Sequence, residues 1–395
     1  MHFLKQRFTR IGTLGCIALA LLGARVDAQP SPPDLRVNGS PTIETRAALL
    51  ARAELQLSQG QTGAATETLE RAALMAHAPD TEMALVRSYL QAGQYRRALA
   101  FCAHVAGAHA DAPPAGALYA WLLRAGGQGA FAGRTLDETL ARAPQDAVAL
   151  GVRRAFTAPL PVAAGVLLEP PHRMAPHGVM QPSQAPLPAT ARVVASGVLV
   201  AGGALALVPA SAVRSMPEDM LWVRNGLGQT SRAHIDSSLP VDASIVVLRL
   251  DAAIDAAGMP APAPREPFAG SPGFTVEFAP SDNAEAAWPW LSQGFFAASQ
   301  GGAGLRRLGI DLADGPHGGP VFDNAGRLAG IALQGPDREA LMLPASRWQS
   351  LASAPAVPSS ATSTSSVPPR ATGADQVYEN ALRIAVQLIS PHASP

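Results

Sequence analysis

The chain has 395 residues, with 30 Lys+Arg against 30 Asp+Glu and a formal charge of zero. That balance argues against nucleic-acid binding by bulk electrostatics, and 48% hydrophobic residues exclude a broadly disordered chain. Charged residues are only 15%, while 36 Gly and 36 Pro together make about 18% of the chain; the usual share is ~12%, so turns and Pro-rich connectors take much of the length.

Residues 1–28 have the three-part layout of a secretory signal: Lys5, Arg7 and Arg10, an apolar run over 11–23, then Val26-Asp27-Ala28 before Gln29. The apolar run, about 13 residues, is short for a membrane span; an uncleaved anchor is the alternative. Cleavage leaves 26 cations against 29 anions and, with Cys16 gone, Cys102 as the single cysteine. One cysteine makes no internal disulfide. No later segment is long and apolar enough to cross a membrane. The expectation is a periplasmic or secreted protein with no membrane span after signal cleavage, and with a flexible segment over 29–40.

Residues 41–156 are rich in Ala, Leu, Glu and Arg with a helical apolar period. Gly60, Gly93 and Gly127 recur at spacings of 33 and 34. Each ends one helix and lets the chain turn into the next. The small residue five positions on, Ala65 or Ala98, allows two helices to approach closely. This predicts three helix pairs, with a capping helix over 146–156. Leu90-Gln91-Ala92-Gly93-Gln94-Tyr95-Arg96-Arg97-Ala98 resembles the turn of a tetratricopeptide repeat, whose period is about 34. The resemblance implies a solenoid that takes protein or peptide partners on its concave face. Cys102, between Phe101 and Ala103, reads as a buried small hydrophobe.

The texture changes at Thr157. Residues 157–188 carry eight prolines and read as a Pro-rich linker with a first strand. His172 and His177 within it lack the carboxylate or cysteine company of a metal pair and read as solvated. Residues 189–352 break into short β-rich runs, at 191–200, 204–208, 244–250, 274–278 and 328–333, separated by turn residues. No cofactor or metal is indicated.

The most informative stretch is Asp314-Gly315-Pro316-His317-Gly318-Gly319-Pro320-Val321-Phe322-Asp323, followed by a turn at Gly326 and a second apolar run through Gly330. It resembles the nucleophile loop of trypsin-like serine proteases, Gly-Asp-Ser-Gly-Gly-Pro. In that family the loop's backbone N–H groups face the substrate carbonyl as an oxyanion hole. The resemblance implies an all-β double barrel, with Gly315, His317, Gly318 and Gly319 in the oxyanion loop. It fails at the position that does chemistry, because His317 stands in the serine's place. Read in the family's order, Ser211 (or Ala210) takes the place of the histidine base, and Ser244 that of the aspartate, with Asp242 as a substitute in a looser register.

Residues 353–373 are rich in Pro, Ser, Thr and Ala and read as a disordered linker. Residues 374–391 form an amphipathic segment, with Val377, Ala381, Ile384 and Leu388 on one helical face and a strand over 384–388 as the alternative. The whole reads as a multidomain chain: an all-α tetratricopeptide solenoid, then an all-β trypsin-like double β-barrel without its triad. An exported binding or adaptor protein is the leading expectation. An active serine endopeptidase with an atypical site and a structural subunit of an envelope assembly are the alternatives.

Overall fold

A computed structural model describes residues 44–158, 162–214, 216, 220–239, 242–299, 304–312, 315, 317–352 and 371–391. The signal segment, residues 29–40, most of the 353–373 linker, and Asp314 and Pro316 of the loop lie outside these residues.

Seven helices open the described chain: α1 (Arg46–Ser58), α2 (Thr62–Met75), α3 (Pro79–Gln91), α4 (Tyr95–Ala108), α5 (Pro113–Ala125), α6 (Gly129–Arg142) and α7 (Ala147–Thr157). The three recurrent glycines turn the chain between the members of each pair, all left-handed, with φ of +75°, +75° and +83°; such a backbone suits a residue without Cβ. Proline opens α3 and α5 at a position where its missing N–H costs nothing. The side chains of Thr45 and Asp146 cap α1 and α7. Cys102 is fully buried, and burial pushes its thiol well above the ordinary range.

Helix α3 is buried along its length from Thr81 to Gln91, and α5 nearly so. A helix enclosed on all sides belongs to a core rather than to a surface. Part of the cover is the Pro-rich segment that was expected to be solvated. Leu167 packs on Gly151 of α7, and the His177 backbone N–H donates to Gln91 Oε1 at 3.2 Å. The His177 ring meets Glu54 of α1 at 2.7 Å. His177 is therefore half-buried, a correction to the sequence reading, because a carboxylate 123 residues away supplies its polar partner.

Glu54 also takes a hydrogen bond from Arg87 at 2.8 Å. Burial works to raise the Glu54 carboxyl, but His177 and Arg87 outweigh it and hold the group at about 2, against an ordinary 4.5. A folded-state value below the unfolded one stabilises the fold above pH 4.5, and that stability is lost as pH falls toward 2. Glu54→Gln should therefore lower the urea midpoint at neutral pH, the order of loss being about 3 kcal/mol for a broken buried pair. The gap from wild type should close as pH falls through that window. A gap that stays constant with pH would contradict the assignment.

The β region opens with β1 (Val179–Met180), β2 (Ala191–Val200), β3 (Leu205–Pro209), the short helix α8 (Ala210–Val213), β4 (Leu221–Asn225), β5 (Gln229–Ile235) and β6 (Ile245–Leu250). It continues with β7 (Pro272–Glu277), β8 (Trp290–Ser299), β9 (Arg306–Gly309), β10 (Pro320–Asp323), β11 (Leu328–Gln334), β12 (Ala340–Pro344) and the short helix α9 (Gln349–Ala352). Helix α10 (Ala374–Ile384) and strand β13 (Ala385–Pro391) close it. Two six-stranded antiparallel barrels result. The second runs β7-β8-β9-β12-β11-β10 and closes through the β10–β7 pairing. The first runs β5-β4-β13-β2-β3-β6 and closes through β5–β6, with β1 laid parallel on β5.

The last strand of the chain thus completes the first barrel. β13 pairs antiparallel with β2 along Ala385–Pro391 and with β4 from Val386 to Ile389. The helical face expected to reach Leu388 stops at Ile384, where the backbone turns extended at Ala385. Leu388 is buried in the barrel instead. Helix α10 buries Val377, Tyr378, Ala381, Leu382 and Ile384 between the barrels and the solenoid. The Tyr378 ring meets Tyr95 of α4 edge-on at 4.5 Å, and its hydroxyl donates to the Pro289 carbonyl at 2.8 Å. Trp290 of β8 sits edge-on to Trp121 of α5 at 5.2 Å. The Trp288-Pro289-Trp290 run is therefore packing rather than an open binding patch.

Candidate functional site at the junction of the barrels

The loop entering β10 carries Gly315, His317, Gly318 and Gly319. Its placement follows from close backbone approach. A Cβ on Gly318, whose φ is +126°, would collide with the Ser196 carbonyl of β2, and one on Gly319 would collide with the Val276 carbonyl of β7. Only glycine lets the loop lie against both barrels at once.

Strands β7 and β10 pair antiparallel, with Val321 opposite Thr275. Continued past the ladder's end, that register sets Gly319 beside Glu277, and the Glu277 carboxylate closes over the loop. Its Oε1 accepts the Gly319 backbone N–H at 3.1 Å, and its Oε2 meets His317 Nδ1 at 2.7 Å. His317 is 7% exposed. Sequence reasoning missed Glu277. It lies 40 residues from His317, at the end of a strand where alternation reads it as an ordinary polar position.

The positions that the sequence resemblance assigned to base and acid come to the same junction from the first barrel. Pro209, at the end of β3, abuts Gly318, and α8 follows it with Ser211. The Ala210 backbone N–H donates to the Ser244 carbonyl at 2.9 Å, so the seats of base and acid are adjacent. The side chains there do not form a relay. Ser244 Oγ donates to Asp242 Oδ1 at 2.7 Å, and Arg347 of the second barrel donates to Asp242 Oδ2 at 2.7 Å. Burial raises the Asp242 carboxyl, but these partners overcome it and hold the group below the usual carboxylate range. Asp242 serves as a tie between the barrels, not as the orienter of an imidazole.

A nearby hydroxyl on β2, Ser196 Oγ, is buried; it accepts the Phe278 N–H at 2.8 Å and donates to the Phe278 carbonyl at 3.3 Å. His234 pairs with Asp251 at 2.7 Å on β5.

Beside the loop, a cavity of about 700 Å³ opens between Ser211, Arg192, Val194 and Met216 on one wall and Pro280 and Asp282 on the other. Gly315 lies against Pro280, so this cavity adjoins the loop.

No protein-family model matches the chain, and no curated protein is similar to it. Among solved structures, it is similar to the MamO protease domain from Magnetospirillum magneticum at 20% identity, over 42% of this chain and 96% of that one, with a TM-score of 0.31. It is similar to the serine endoprotease from Yersinia pestis at 16% identity, over 42% of this chain and 66% of that one, TM-score 0.31. The HtrA-type protease AlgW with a decapeptide is 17% identical, over 39% of this chain and 48% of that one, TM-score 0.32.

What the site can do chemically follows from its charges. A carboxylate on Nδ1 and an imidazole form the orienter-and-base half of a triad. Here that pair sits in the glycine loop itself, with the Glu277 carboxylate against the Gly319 amide. A fixed carboxylate beside a backbone amide disfavours a second negative charge at that amide.

Proposed function

We propose that this chain is an exported binding protein, a catalytically inactive trypsin-like domain joined to a tetratricopeptide-type solenoid. The carrying observation is the Glu277 carboxylate bridging His317 Nδ1 and the Gly319 amide. Nucleophilic acyl transfer needs a hydroxyl or thiol, a partner base and an uncommitted oxyanion hole. An imidazole occupies the first seat, a serine the second, and a carboxylate crowds the third.

The arrangement of the solenoid directs where a partner binds. Leu167, His177 and Val179 of the chain itself lie against Gly151 of α7, Glu54 and Gln91 of α1 and α3, and Gly60, so part of the helical surface is already covered. A pocket of about 280 Å³ remains among Leu50, Leu57, Leu69, Arg87, Pro170 and Pro171. The barrel-junction cavity beside Ser211 is the larger opening and the one we assign to a protein or peptide ligand. The signal-like layout of the first 28 residues supports a location in the periplasm or outside the cell.

The test uses the mature chain with casein and a panel of fluorogenic peptides. The reading expects no turnover above a buffer control. Sustained hydrolysis that disappears on substitution of Ser211 or His317 would establish the alternative, an atypical peptidase.

A further inference from the structure

Away from the barrels, three side chains from two neighbouring helix pairs converge on one point. His77 lies in the turn between α2 and α3, Glu82 in the first turn of α3, and His109 caps the C-terminus of α4. The Glu82 carboxylate is bracketed by imidazoles: Oε1 lies 2.8 Å from His77 Nε2, and Oε2 lies 3.1 Å from His109 Nε2. The two imidazole rings stand 4.8 Å apart, and the three donor atoms all lie within 4.8 Å of one another.

This arrangement is unusual for a carboxylate 6% exposed. Buried carboxylates are normally met by a guanidinium, an ammonium or a metal ion. Elsewhere among the described residues Asp323 has Arg327, Glu54 has Arg87 together with His177, and Glu277 has a single imidazole, His317. Glu82 has two histidines instead, each presenting Nε2. Neutral imidazole nitrogen and carboxylate oxygen are the donors that zinc and its first-row neighbours select. On a tetrahedral zinc ion, with bonds of about 2.0–2.2 Å, adjacent donors sit roughly 3.3 Å apart. Each histidine Nε2 lies near that distance from a different carboxylate oxygen, Oε1 for His77 and Oε2 for His109, and the three ligand atoms lie within 4.8 Å of one another. Movement toward a common centre falls to His77, whose side chain is 63% exposed in a turn.

We infer that His77, Glu82 and His109 form a binding site for a divalent transition metal, Zn²⁺ being the best match to the donor set. Two nitrogens and one oxygen leave a fourth position. Water or His104, on α4 with its ring 6.3 Å from that of His77, would supply it. The ion would fasten the α2–α3 turn to the end of α4. It would thus staple the first helix pair to the second without touching the barrels. The site is independent of the reading of His317.

The experiment is equilibrium dialysis of the untagged mature chain against ZnCl₂ with elemental analysis, paired with Co²⁺ absorption in the visible. The inference expects one equivalent of Zn²⁺ per chain and tetrahedral-type Co²⁺ bands. It also expects a rise in thermal midpoint with added Zn²⁺, since a ligand that binds only the folded state stabilises it. His77→Ala, at an exposed position where folding is undisturbed, should weaken binding about tenfold or more. His109→Ala and Glu82→Gln should abolish it, and His234→Ala should leave it unchanged. Substoichiometric zinc at saturating concentration, or binding that survives His77→Ala and His109→Ala together, would overturn the site.

Discussion

A chain cut after Pro369 should fail to fold. The segment it loses contributes α10 and β13, and Val377, Tyr378, Leu382, Ile384, Val386, Leu388 and Ile389 are all fully buried. At about 1.5–3 kcal/mol for each large apolar side chain, their loss exceeds 10 kcal/mol, comparable with the whole stability of an ordinary domain, roughly 5–15 kcal/mol. The cut also opens the first barrel between β2 and β4, exposing two unpaired strand edges that invite aggregation. The expected result is insoluble protein, or a soluble species without a cooperative urea transition. Adding a synthetic peptide of residues 371–395 during refolding should restore a cooperative transition, because the missing strand is then supplied in trans. A truncated chain with wild-type stability would show that β13 is dispensable to the barrel.

Trp121→Ala should be the most damaging single substitution away from the glycines. Trp121 is 2% exposed on α5, against Phe156 and against Trp290 of the second barrel. Removing a buried tryptophan costs about 3–5 kcal/mol through lost transfer energy and the cavity left behind. That corresponds to a fall in melting temperature of roughly 4–7 °C for a unit of this size melting as one. Because the residue joins the solenoid to the barrel, helical circular dichroism and the near-ultraviolet signal of the barrel should fall together in wild type. They should separate, or shift jointly, only after the substitution. If the two signals melt independently in the wild type, the solenoid and barrels are not energetically joined through this contact.

The parts of the fold legible in the sequence are those specified by neighbours along the chain. Gly60, Gly93 and Gly127 announce their turns through spacing, and the β-rich runs at 191–200 and 328–333 coincide with β2 and β11. The parts that were not legible depend on residues far apart. The alternation of Val386, Leu388 and Ser390 is short, and it follows directly on a helical period. Nothing local distinguishes a last helical turn from a strand whose partners lie on β2 and β4. At the site, the glycine loop marks itself and so does His317 within it. Glu277 does not, since its meaning comes only from the β7–β10 register that folds it over Gly319. The same holds for His177, which reads as a solvated polar residue until Glu54 of α1 supplies its partner.

The account rests on the nucleophile loop being chemically silent. The most direct measurement is intact-mass analysis of the folded mature chain after incubation with a fluorophosphonate, with trypsin treated in parallel. The account predicts quantitative labelling of trypsin and an unchanged mass for this chain. A single adduct per chain, mapped to one serine and lost when the protein is denatured before exposure, would contradict it.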